Sequence, residues 1–257
     1  MDKLPKSEKF FDISDYARPL SHWIVQISLN TKLTPIYFTT FALISGILAA
    51  LMICFDVNKF VVVFLIFLKN LFDAVDGELA RARKKPSLVG RYYDSVVDFF
   101  TNTILLLSIM LKYDKSFIVF LLALVLMSLQ CSVYNFYYVL KRQLANGDKT
   151  SRIDEKKLIN IYPYDNLYWL KVLHKLYVII YSWQDDLVSL IDKKALELRN
   201  VPNYFMTLTS ILALGMQLLI FSILILLDLD FYILEIFIIP YTFMALLIIL
   251  IRKLFVR

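Results

Sequence analysis

The sequence predicts an all-α integral membrane protein: a six-transmembrane helix bundle with an N-terminal interfacial amphipathic helix and a cytoplasmic helical insert. Hydrophobic residues make up 59% of the 257 residues and charged residues only 19%, whereas soluble domains average about 25% charged residues. The hydrophobic residues form long runs, and the basic residues cluster in particular segments between them. This apolar content excludes a disordered chain. The presence of only two cysteines excludes a disulfide scaffold.

Six of the apolar runs are long enough to cross a bilayer. A hydrocarbon core about 30 Å thick requires about 20 helical residues at 1.5 Å per residue. Runs of this length lie at residues 34–55, 60–81, 93–111, 117–139, 204–227 and 231–251. We therefore predict six transmembrane helices.

The basic residues predict the orientation of the bundle. Of the 28 Lys and Arg residues, 24 flank one end of the predicted helices, 3 flank the other end, and Lys69 lies within a run. By the positive-inside rule, the basic end is cytoplasmic, and so are both termini. The net charge of +6 therefore reflects membrane orientation and not nucleic-acid binding. No cleavable signal peptide is expected, because the first apolar run begins late, and we predict a multi-pass protein of the bacterial inner membrane.

Two polar segments complete the predicted organisation. Residues 1–33 mix aromatic, apolar and charged positions, which is typical of a cytoplasmic interfacial helix. Residues 34–140 would form the first four transmembrane helices, and residues 204–257 the last two with a cytoplasmic tail. Between them, residues 141–203 form a cytoplasmic insert whose Tyr- and Trp-rich part has the apolar periodicity of an amphipathic helix.

Four acidic residues interrupt the apolar pattern near the cytoplasmic end. Asp73 and Asp76 are three residues apart in the second run, and Asp94 and Asp98 are four apart in the third, so each pair lies on one face of its helix. A short basic loop joins the two helices, which predicts that they are antiparallel neighbours. Acidic residues inside a membrane cost about 2.5–3.5 kcal/mol each on insertion scales. Four carboxylates without histidine or cysteine favour a hard cation, Mg²⁺ or Mn²⁺.

Small residues and an arginine accompany the acids. Gly77, Ala80 and Gly90 would let a nucleotide or diphosphate approach the backbone, and Arg81 offers a planar cationic group for phosphate. A structural network of ion pairs is the alternative interpretation, with the basic partners Lys69, Arg81, Arg83 and Arg91. The combined spacing favours a metal–diphosphate site that opens to the cytoplasm.

This combination resembles the signature of the CDP-alcohol phosphotransferase (CDP-alcohol phosphatidyltransferase) family. The matching positions are Asp73, Asp76, Gly77, Ala80, Arg81, Gly90, Asp94 and Asp98. The six-helix arrangement and the N-terminal helix are also similar to that family. The segment Arg18–Pro19–Leu20–Ser21, followed by Thr34–Pro35 and Thr39, resembles its inositol-phosphate-linked branch, although Ile36 stands where that branch usually has Asn.

The resemblance implies transfer of a phospho-group or phosphatidyl group from a CDP-activated donor to an alcohol, with release of CMP, in phospholipid biosynthesis. It implies two metal ions bound by Asp73, Asp76, Asp94 and Asp98, a CDP site at Gly77, Ala80, Arg81 and Gly90, and Asp98 as the catalytic general base. CDP-diacylglycerol is the favoured donor. The alternative is a soluble CDP-alcohol with a diacylglycerol or phosphoinositol acceptor. Members of the family are often homodimers.

Two other functions use similar residues. An intramembrane prenyltransferase binds Mg²⁺–diphosphate through aspartates, but it would need a second acidic motif on a later helix pair. A cation transporter would spread its polar residues across the bilayer, whereas here they lie on one side. For the acceptor, Lys141, Arg142 and Arg152 are the residues expected to meet a phosphate group.

Overall fold

The structure is a computed structural model that describes residues 3–147, 151–159 and 161–256. These residues form ten α-helices, joined by turns and short 3-10 segments, and no strand. The helices are α1 (Arg18–Ser28), α2 (Pro35–Cys54), α3 (Lys59–Ala82), α4 (Leu88–Lys112), α5 (Phe117–Leu144), α6 (Leu167–Ile191), α7 (Asn203–Thr209), α8 (Leu214–Leu226), α9 (Ile233–Ile238) and α10 (Pro240–Phe255).

Four helical segments in the described chain are long and apolar enough to cross a membrane. They are α2, α4, α5 and the stretch Asp230–Phe255. The pair Asn203–Leu212 and Leu214–Leu226 makes a fifth if it is taken as one bent span. The prediction of an all-helical membrane protein is confirmed at this level. The count of six spans stays a prediction, because it requires α3, which carries the charged residues of the predicted site.

The last two predicted spans, residues 204–227 and 231–251, are each interrupted, whereas the sequence predicted continuous helices. The axis bends by 48° between Leu212 and Leu214, because Ala213 adopts an extended conformation. Next to this break, a Cβ on Gly215 would stand 2.4 Å from the carbonyl oxygen of Ser14, and the Ile13 amide donates to Ser210 Oγ at 3.1 Å. The N-terminal segment therefore packs into the break.

The second break precedes Pro240, whose ring has no N–H to donate to the preceding turn. Next to this break, Gln130 of α5 donates from its Nε2 to the Phe237 carbonyl oxygen at 2.8 Å. Helix α5 is thereby bonded to the interrupted backbone of the last span.

Five helices end at a residue with positive φ that is not glycine. These residues are Asp56, Lys84, Asp114, Asn146 and Asp228. In each case the next amide donates to the carbonyl five residues before it, as from Lys85 to Ala80 at 3.2 Å, which is the Schellman arrangement. This termination sets the position of the loop between α3 and α4, which carry the acidic residues.

Helix α2 holds α3 and α4 together. It packs against both, whereas the backbones of α3 and α4 make few close contacts with each other. The two helices are neighbours whose acidic side chains face each other, as predicted, but a space separates their backbones. The buried face of α2 is rich in small residues, and small residues let helices approach closely in membranes. At Gly46, a Cβ would stand 2.7 Å from Thr101 Cγ2 of α4. The acidic residues of α3 and α4 therefore face a space bounded by α2.

The insert lies against the outside of α4 and α5 through α6. Tyr181 of α6 donates to the Ser95 carbonyl oxygen of α4 at 2.9 Å, and Gln184 accepts from Ser128 and Ser132 of α5. On its other side, α6 exposes large apolar residues, among them Ile179 at 62% and Leu190 at 75%. Helix α6 therefore forms one wall of the space beside α4.

Candidate active site

Three of the predicted aspartates meet between α3 and α4. Asp73, Asp94 and Asp98 each offer a carboxylate oxygen, and these oxygens lie within 4.8 Å of one another. All three side chains are partly buried. Three converging carboxylates supply only hard oxygen ligands, so the donor set fits Mg²⁺ or Mn²⁺.

Asp76 lines the same cavity but lies outside this group of three. It is 5% exposed, and its Oδ2 accepts a hydrogen bond of 2.5 Å from the Thr39 hydroxyl of α2. Thr39 is itself 2% exposed. A threonine in the first predicted span therefore orients the fourth aspartate.

Lys69 forms an ion pair with Asp98. Its Nζ lies 2.5 Å from Asp98 Oδ1, and its side chain is fully buried, whereas that of Asp98 is 19% exposed. Of the basic residues considered for a structural network, Lys69 contacts the acidic group directly. Arg83 instead donates to backbone carbonyls between α1 and α2, and Arg91 pairs with Glu155 of the insert.

The residues predicted to bind CDP line the same cavity as the aspartates. Arg81 lies over Gly77, where a Cβ would stand 3.1 Å from its Nη1. Gly90 follows Ser87, the N-terminal cap of α4, and donates to its hydroxyl at 3.0 Å. A Cβ on Gly90 would meet protein atoms only at ordinary contact distance. The small residues Gly77, Ala80 and Gly90 and the guanidinium of Arg81 therefore share the wall of the cavity that contains the carboxylates.

The cavity has a volume of about 1380 Å³, above the roughly 300–1,000 Å³ of typical small-molecule sites. Arg142 and Arg152 line it. The prediction for Lys141 is wrong, because its ammonium is buried against Glu8 and the Val201 carbonyl oxygen, away from the cavity. That lysine points from α5 toward the N-terminal segment and the start of α7.

The insert contributes cavity residues that carry no recognisable sequence motif. Tyr181 and Asp185 of α6 both line the cavity. Burial raises the pKa of the Asp185 carboxyl to about 7, and the negative charge of Glu155 adds to this effect. The apolar periodicity of the insert predicted helix α6, but it could not indicate which face of that helix meets α4.

Comparisons with known proteins agree with the site. Residues 32–183, more than half of the chain, match the sequence model of the CDP-alcohol phosphatidyltransferase family. This range includes the four predicted site aspartates and most of α6. No curated protein matches the chain. On the family match, the chain belongs to the CDP-alcohol phosphatidyltransferases, which transfer substituted phosphate groups in phospholipid biosynthesis.

Proposed function

We propose that the protein transfers a phosphatidyl group from CDP-diacylglycerol to a small polar alcohol and releases CMP. The observation that carries this proposal is the convergence of Asp73, Asp94 and Asp98 in a cavity that also contains Arg81 and Gly77. The cavity volume of about 1380 Å³ favours a donor larger than a nucleotide alone. Family membership supports a transferase over a prenyltransferase or a cation transporter.

Asp73, Asp94 and Asp98 would hold divalent metal, with Asp76 adjoining them. The family generally uses divalent metal, and two Mg²⁺ ions are our proposal for this chain. Bound metal would supply positive charge to the diphosphate and to the departing CMP. Arg81 would bind a phosphate oxygen through its planar guanidinium group, and Gly77, Ala80 and Gly90 would leave room for the CDP moiety.

Asp98 is the proposed general base. Its carboxylate would accept the proton of the acceptor hydroxyl as the acceptor oxygen bonds to the lipid-linked phosphorus and the bond to CMP breaks. Lys69 keeps Asp98 oriented through the 2.5 Å ion pair. Arg142 and Arg152, which line the cavity, would attract an acceptor that carries phosphate.

For the membrane arrangement, we propose that α3 is the sixth span and that the site end of the bundle faces the cytoplasm. The excess of basic residues at that end supports this orientation. A bacterial inner membrane location and a homodimer remain predictions.

A donor-by-acceptor screen tests the function. Purified protein with Mg²⁺ is incubated with CDP-diacylglycerol or a soluble CDP-alcohol, each with a panel of acceptors, and CMP is measured. We expect release with CDP-diacylglycerol and a polar alcohol. Release only with a soluble CDP-alcohol and a lipid acceptor would identify the alternative reaction and contradict the proposed donor.

Replacing the base tests the mechanism. We expect Asp98→Asn to reduce CMP release by about 10²–10⁴-fold, the usual contribution of a general base, while binding of CDP persists. Because Lys69 then loses its ion-pair partner, the variant should also unfold at a lower temperature. Asp186→Asn, at an exposed position on the outside of α6, is the matched control. Wild-type turnover by Asp98→Asn would refute the assignment.

A further inference from the structure

Lys69 is a cation enclosed in the bundle beside the proposed base. Its side chain has no exposed surface, and its Nζ is 2.5 Å from Asp98 Oδ1. It lies one helical turn before Asp73 on the same face of α3, and Asp73 and Asp94 offer carboxylate oxygens within 4.8 Å of one of Asp98. Lys69 therefore lies beside the cluster of three carboxylates.

The surrounding helices provide space for this lysine. Its Cγ lies 3.7 Å from where a Cβ on Gly46 of α2 would stand, next to Thr101 of α4. Burying an ammonium group is costly unless it is paired and hydrogen-bonded. The buried ammonium of Lys69 is therefore stabilised by the charge of Asp98 and not by solvent, and Gly46 of α2 provides the space for its side chain.

The charges of the site suggest what Lys69 does. Four carboxylates would balance two divalent ions, so the additional ammonium would leave excess positive charge in the fully loaded site, to which Arg81 adds. The negative diphosphate of a donor would offset that excess. Lys69 and a cation also compete for the same carboxylate, that of Asp98.

We propose that Lys69 is a built-in counter-cation of Asp98 that weakens divalent-ion binding until the donor diphosphate arrives. In the nucleotide-free protein it satisfies Asp98 and disfavours full metal loading. This inference rests on the metal site in the proposed function and makes Lys69 a positioning residue, which acts through Asp98.

Titration of purified protein with Mn²⁺ in the absence of nucleotide tests the proposal. We expect Lys69→Met to bind Mn²⁺ at least about tenfold more tightly than wild type, because the ammonium of Lys69 repels a cation bound by the neighbouring carboxylates. This difference in affinity should shrink when CDP is added. Lys69→Arg, which retains the charge, should remain close to wild type. Lys59→Met removes a lysine from the same helix at its far end, where it pairs with Asp228, and should leave Mn²⁺ affinity unchanged.

Thermal unfolding provides a second readout. In EDTA, Lys69→Met should melt below wild type because Asp98 is left without its partner, and Mn²⁺ should raise its melting temperature more than it raises that of wild type. Lys69→Gln carries the same affinity prediction if the methionine variant does not accumulate. Unchanged or weaker Mn²⁺ affinity in the neutral variants, or an equal loss of stability with and without Mn²⁺, would overturn the role of Lys69. Absence of Mn²⁺ binding by both wild type and Lys69→Met, with and without CDP, would instead refute the metal site itself.

Discussion

At the scale of single residues, helix α2 helps to hold the aspartates of α3 and α4. Thr39 donates to Asp76, and Gly46 admits Thr101 and lies beside Lys69. These contacts explain how four acids remain in a mostly apolar bundle. Each acid is either hydrogen-bonded, ion-paired or grouped with others around a site suited to a cation.

The hydroxyl of Thr39 can be tested directly. We expect Thr39→Val to lower the free energy of unfolding by about 1.5–3 kcal/mol, the usual contribution of a hydrogen bond to a charged group. CMP release should fall by about 10–100-fold, as for other side chains that orient metal ligands. Thr40→Val is the matched control, because the Thr40 hydroxyl donates to the Ile36 carbonyl oxygen and not to an aspartate. Equal effects of the two substitutions would contradict the role of Thr39.

The acids could be predicted from sequence because each breaks an apolar pattern at helical spacing. Lys69 was among the basic partners considered from sequence, but the contacts of Thr39 and Gly46 were not predicted, since both lie in a run whose composition is ordinary for a transmembrane helix. Lys141 was wrongly assigned to the acceptor for a related reason. Its charge is visible in the sequence, but the direction of its side chain depends on Glu8 and Val201, which are distant in the chain.

At the scale of elements, the insert binds the beginning of α4 through hydrogen bonds and an ion pair. Asp165 accepts from the Ser87 hydroxyl at 2.6 Å and from the Leu88 amide at 2.9 Å. Glu155, with a side chain 1% exposed, pairs with Arg91 at 2.8 Å and accepts from the Tyr92 hydroxyl. These bonds fix the turn of α4 that carries Gly90 and, one turn later, Asp94.

Weakening the contact between the insert and α4 should destabilise the protein. Glu155→Gln removes the negative charge from the ion pair with Arg91, and breaking a buried ion pair costs about 3–5 kcal/mol. We expect a large fall in melting temperature. The Lys156–Asp186 pair in the same insert is exposed, at 49% and 60%, so Asp186→Asn should leave the melting temperature unchanged. Similar melting temperatures for the two variants would show that the insert does not hold α4.

Asp185 should make the stability of α6 depend on pH. Its folded pKa of about 7 is above the unfolded value of about 3.9, so the folded state favours the protonated acid. Its stabilising contribution is therefore complete below about pH 4 and is lost as the pH rises toward 7. We expect Asp185→Asn to melt above wild type at pH 7.5, with the advantage disappearing near pH 4. A difference that is constant with pH would contradict the raised pKa.

The ends and breaks of the helices were harder to predict than their existence. The left-handed residues that terminate five helices are Asp, Asn and Lys, so the usual glycine signal was missing. Pro240 is a helix breaker, but the prediction ran a continuous span through it. Next to the break at Ala213, Gly215 packs against Ser14 of the N-terminal segment, a contact that no local pattern indicates.

At the scale of the whole molecule, the two ends of the bundle have different charge arrangements. The end opposite the site contains local ion pairs, Lys59 with Asp228 and Lys112 with Asp56 and Asp230. The other end carries most of the basic residues and opens into the cavity. Charge placement along the sequence was sufficient to predict that the two ends differ, whereas the orientation in a bilayer and the count of six spans stay predictions.

Single cysteines at the two ends would test the proposed topology, after both native cysteines are replaced by serine. Lys32 and Lys194 lie at the site end, and both are exposed; Val57 and Leu229 lie at the opposite end, 37% and 41% exposed. In intact bacterial spheroplasts, a membrane-impermeant maleimide should label cysteines at 57 and 229, and those at 32 and 194 only after permeabilisation. Because 32 and 57 flank α2, and 194 and 229 flank the bent pair α7–α8, this pattern requires both segments to cross the membrane. Labelling of 32 from outside would reverse the proposed orientation, and labelling of 194 and 229 from the same side would make the bent pair a re-entrant loop.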